Sequence, residues 1–85
     1  MGVPTVMTLR KISVGIYTND HAPPHVQAIK ADGGRARFAL NCPDGPVRLL
    51  ESTMFKASEI SEIGSAIADD LKAICKKWWT IHGQF

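Results

Sequence analysis

At Ala57 the apolar residues of this chain change their spacing, and that change constrains the fold more than any other feature of the sequence. Upstream, Ile12, Val14 and Ile16 alternate with Ser13, Gly15 and Tyr17, the period-two signature of a strand with one buried face. Downstream, Ile60, Ile63, Ile67, Leu71, Ile74 and Trp78 recur at intervals of three and four, which is a helical stripe. Glu62, Ser65, Asp69, Lys72 and Lys76 fall on the other side of that helix. Glu59 and Glu62 in its first turns, and Lys76, Lys77 and His82 near its end, suit the helix dipole. The pattern predicts one helix running to about Ile81, about 35–40 Å long at ~1.5 Å per residue, with Gly83 as its stop.

Ahead of the helix the chain is punctuated as a run of strands. Val6 to Arg10 reads either as a short strand or as an extended lead-in. Asn19 to Pro24 interrupts the next strand, and its paired prolines make a stiff, extended loop. His25 to Ala31 and Arg35 to Asn41 both read as strands, and Asp32-Gly33-Gly34 between them is a hairpin signal. After Cys42 to Pro46 breaks the pattern, Val47 to Leu50 is long enough for one more short strand, at an edge. Strands followed by a helix, without βαβ alternation, predict an α+β fold. The expected architecture is an antiparallel three- to four-stranded meander packed against one long C-terminal helix. One sheet face should be buried, and the other should meet water or a partner.

Eighty-five residues suffice for a single domain over 1–85. A hydrophobic share of 45% and a charged share of 21% exclude disorder. Ten basic and eight acidic residues leave a net charge of +2, too little to mark a nucleic-acid binder by charge alone. Function must come from how the charges are placed. No apolar run approaches the ~20 residues that span a bilayer, and Met1 to Pro4 lacks the basic and apolar regions of a secretory signal. A soluble, cytoplasmic protein is expected. Cys42 and Cys75 lie far apart and outside any C-x-x-C pair, so they read as free thiols in a reducing compartment.

Phasing the hairpin sorts its residues by face. With Ala31 set opposite Arg35, Val26, Ala28, Ala36, Phe38 and Leu40 share the core face. The other face carries His25, Gln27, Ile29, Arg35, Arg37, Ala39 and Asn41, with Tyr17 on the same side of the first strand. Asp20 and His21 sit in the loop at its rim. Tyr17, Asp20, His25, Gln27, Arg35, Arg37 and Asn41 form the candidate binding set, since guanidinium, imidazole, amide and phenol suit a phosphate or an RNA backbone. His21 and His25 are candidate catalytic residues, as general acid or base, with Arg37 stabilising developing charge. The plainest alternative is a solvated face that happens to hold these side chains.

The two histidines of His21-Ala22-Pro23-Pro24-His25 do not make a chelating pair. An extended run at ~3.1 Å per residue holds their Cα atoms about 12 Å apart, and Cys42 is the one further ligand within reach of His25. No metal and no cofactor is expected. Trp78 belongs to the core, whereas Trp79 falls off the stripe and either caps the sheet edge or, with Ile81 and Phe85, forms a candidate contact patch.

Pro4-Thr5-Val6, Ile16 to His21, Pro23-Pro24-His25-Val26, Ala36-Arg37-Phe38, Leu49-Leu50-Glu51, Phe55 ahead of Glu59, Ile60 and Ile63, and Leu71 to Trp78 resemble a family of short bacterial proteins, domain of unknown function 4160. That family's pattern continues after the prolines as His-Val-His, and Gln27 stands here at the last position. Its helix also opens with Ser or Thr, where this chain has Lys56, so the cap must come from another group. The resemblance implies a component of a toxin–antitoxin module with a small protein partner. Three roles fit the chain: a module binding RNA or DNA, a metal-independent ribonuclease using His21 and His25, and a structural or regulatory partner. A homodimer is compatible with each, because a short sheet leaves edges that another protomer can cover.

Overall fold

The alternating segments form strands in the computed structural model, which describes residues 5–16 and 23–82. These are β1 (Thr5–Leu9), β2 (Ile12–Gly15), β3 (His25–Lys30), β4 (Arg35–Ala39) and β5 (Arg48–Thr53). They pair in chain order as one five-stranded antiparallel meander. The count exceeds the three or four expected because the lead-in segment pairs along β2 as a true strand. β5 is also longer than its apolar residues suggest, continuing through Glu51, Ser52 and Thr53.

In the β3–β4 hairpin Ile29, not Ala31, lies opposite Arg35. The turn takes in Lys30 to Gly34: the Gly33 amide donates to the Lys30 carbonyl at 3.0 Å and the Lys30 amide to the Gly34 carbonyl at 2.9 Å. Gly33 has a φ of 102°, which side chains other than glycine rarely tolerate. The offset from the expected pairing is two residues, one full side-chain period, so the face parities within β3 and β4 survive it. Val26, Ala28, Ala36, Phe38 and Leu40 are all buried.

The helical stripe is carried by two helices, α1 (Ala57–Asp69) and α2 (Leu71–His82), where one was expected. The break falls at Asp70, with φ −121° and ψ 23°. Its amide turns back to the Ile67 carbonyl at 3.2 Å, while its own carbonyl accepts from the Ile74 amide at 3.0 Å. Ile67 and Leu71 remain four residues apart and buried across the break, so the stripe gives no sign of it.

A tether holds the helix that follows the break. Cys42 and Cys75 are joined by a disulfide, with their Cα atoms 5.8 Å apart, and are not free thiols. The bridge fastens the segment after β4 to the buried side of α2. In that segment Gly45 has a φ of 84°, and a Cβ there would stand 3.2 Å from Leu71 Cδ2. The segment is thus seated closely on the start of α2.

α1 supplies its own cap. The Lys56 amide donates to Glu59 Oε1 at 2.8 Å, which is the glutamate half of a capping box. Lys30 reaches the same carboxylate at 3.0 Å while lying 4.6 Å from the Phe55 ring centre. The Lys56 amide and, after it, the Lys30 ammonium hold the Glu59 carboxyl below the usual carboxylate range. Between sheet and helices, Val14, Ile16, Val26, Phe38 and Leu40 meet Ile63, Ile67, Leu71, Ile74 and Trp78 in one core. Each such side chain contributes about 1.5–3 kcal/mol of burial.

Candidate nucleic-acid interface

Residues directly opposite one another in an antiparallel ladder share a face, so the register builds the open side of the sheet row by row. One row runs Thr8, Ser13, Ile29, Arg35, Thr53. The next runs Gly15, Gln27, Arg37, Glu51. A third joins His25, Ala39 and Arg48. Gln27, Arg35, Arg37, Glu51 and Thr53 line a shallow hollow of about 180 Å³ across β3, β4 and β5.

Gln27, Arg35 and Arg37 are therefore brought together as the phasing predicts. Glu51, Thr53 and Arg48 are additions that the apolar pattern does not reveal. β5 carries an extra residue, Leu50, between the pairs Arg37–Glu51 and Phe38–Leu49. This bulge returns Arg48 and Glu51 to one face, although an odd number of positions separates them. Arg37 Nε donates to Glu51 Oε2 at 2.8 Å, with both side chains largely in solvent, so the pair contributes only about 0–1 kcal/mol. Arg35 is exposed and has no ion pair among the described residues.

His25 shares the parity of this face but is not on view. Its ring is 8% exposed and lies 5.4 Å from the Trp78 ring, centre to centre. Nδ1 donates to the Pro23 carbonyl at 3.0 Å. Trp78 in turn stacks on His82 at 4.0 Å. The C-terminal part of α2 thus covers the end of the sheet where β3 begins, which strand periodicity alone does not reveal. Asn41 is also apart from the hollow. Its Nδ2 donates to the Pro46 carbonyl at 2.7 Å and its own carbonyl accepts from the Gly45 amide, so it shapes the tethered segment. Tyr17, Asp20 and His21 lie outside the described residues.

Cys42 spends its sulfur on the disulfide and has no thiolate to offer a metal. Among the described residues no group of three His, Cys, Asp or Glu converges as a metal site requires. A larger hollow, about 520 Å³, lies at the helix break against Asp44, Asp69 and Asp70. Its acidic lining suits a polyanion poorly. No helix among the described residues is long and apolar enough to cross a membrane.

Fold and face define a small α+β module with one sheet surface committed to the core and the other displaying arginine and amide groups. Residues 12–79, from β2 into α2, match the family described as a domain of unknown function, DUF4160, and the chain belongs to that family. No curated protein and no solved structure matches the chain.

Proposed function

We propose that the chain is a small binding module that takes RNA or DNA on its open sheet face, as one partner of a toxin–antitoxin-like pair. The observation carrying this reading is the hollow in which Arg35, Arg37 and Gln27 stand together. Guanidinium forks suit phosphate oxygens, and an exposed cation beside an amide on a sheet gives a backbone both charge and hydrogen bonds. Arg37 is already held by Glu51, so Arg35 is the stronger electrostatic contact and Arg37 a preset one. The pairing with a small protein rests on the family resemblance alone.

His25 enters this reading as a support. A ring packed on Trp78 and bonded to the Pro23 carbonyl fixes the start of β3 and reaches no solvent-borne substrate. That weighs against acid–base work by His25 in a ribonuclease.

The test is fluorescence anisotropy with labelled single-stranded RNA and duplex DNA across a salt series. Binding that weakens with salt is expected, because phosphate contacts release counterions. Arg35→Ala should lower affinity for all sequences alike and reduce the salt slope by about 1. Absence of binding at about 50 mM salt, or binding indifferent to Arg35→Ala and Arg37→Ala together, overturns the proposal.

A further inference from the structure

The large hydrophobic residues most exposed among those described are Leu49, Leu50 and Met54, all on or just after β5. Every residue of β5 is exposed, and the strand closes the sheet at one edge. At the other edge β1 turns Val6, Met7 and Leu9 against the core. An edge strand leaves a row of amides and carbonyls for another chain to pair with. A groove of about 440 Å³ between β5 and α1, lined by Phe38, Val47, Leu49, Ile60 and Gly64 among others, continues the apolar surface beyond Leu49.

The bulge selects the occupant. Two coplanar antiparallel strands related by a two-fold axis keep their faces, so opposed residues must point to the same side. In an unbulged strand Arg48 and Glu51 point to opposite sides and cannot be opposed in such a pair. The extra residue at Leu50 puts both on the open face. A regular partner strand would have to accommodate that extra residue, whereas a second β5 carries the same one and matches it.

We propose that β5 is the interface of a two-fold homodimer in which Arg48 of each copy faces the partner's Glu51 and Leu49 faces the partner's Leu50. The isologous register produces this charge pairing twice. Glu51 has the capacity for it: Arg37 uses Oε2, and Oε1 has no partner among the described residues. Arg48 likewise has no ion pair among them. Strand pairing and four leucines form a small interface, so association belongs in the micromolar range, around 1–100 µM. The pairing joins two meanders into one continuous sheet with both open faces on the same side.

Sedimentation equilibrium up to about 1 mM protein tests this with complementary variants. Wild-type protein is expected to dimerise. Arg48→Glu and Glu51→Arg should each weaken self-association at least about tenfold, since each sets like charges opposite one another twice. A mixture of the two should form a heterodimer, and the double variant, with its charges exchanged, should dimerise again. Thermal melts of each variant separate a lost interface from a lost fold, because Glu51→Arg also confronts Arg37. A monomeric wild type, single variants that associate like wild type, or a mixture that stays monomeric overturns the proposal.

Discussion

Two residues do work that their sequence context conceals. His25 follows two prolines and alternates with core residues, so its parity predicts display, yet the end of α2 covers it. His25→Ala would leave a hole beside Trp78 and release the Pro23 carbonyl, a cost of about 1–3 kcal/mol. Urea denaturation should show the loss, while nucleic-acid binding by the folded fraction should persist. Binding lost without any loss of stability would return His25 to the site. Glu59 is the second such residue, joining the cap of α1 to Lys30 on β3. Glu59→Gln keeps an acceptor for the Lys56 amide and removes only the charge. The folded carboxyl titrates below its unfolded value of about 4.3, so its contribution is present above that pH and disappears as pH falls through the folded value. The variant should melt below wild type at neutral pH, and the two curves should converge in acid.

At the scale of elements, what could be read from the chain was whatever repeats. Alternation yields the faces of β3 and β4, and these survive an error of two residues in register because two is the period. The stripe yields the helical region and its buried side. It does not reveal the break at Asp70, since Ile67 and Leu71 keep helical spacing whether or not the backbone runs straight between them. Nor does it reveal the disulfide, whose cysteines are 33 positions apart and meet only because the segment after β4 folds over the start of α2. The candidate site divides the same way. Gln27, Arg35 and Arg37 follow from alternation, whereas Glu51 depends on a bulge and a polar strand end with no apolar signal. The disulfide has a measurable weight. Closing a loop of this size removes about 3–4 kcal/mol of unfolded-state entropy. Reductant should therefore lower the urea midpoint of the wild type, and a Cys42→Ala/Cys75→Ala variant should start lower and ignore reductant.

At the scale of the whole molecule, the helices pack their apolar stripe on one face of the sheet, and the end of α2 reaches the other parity at His25. Neighbouring positions along β3 and β4 consequently answer to different demands. Val26, Ala28, Ala36 and Phe38 answer to packing, and Gln27, Ile29, Arg35 and Arg37 to whatever the surface meets. A substitution at one parity is judged by whether the chain folds, and at the other, away from the covered His25, by how it alters the exposed surface. The open parity can thus change one residue at a time, and so remodel its surface, without any step that passes through an unfolded chain.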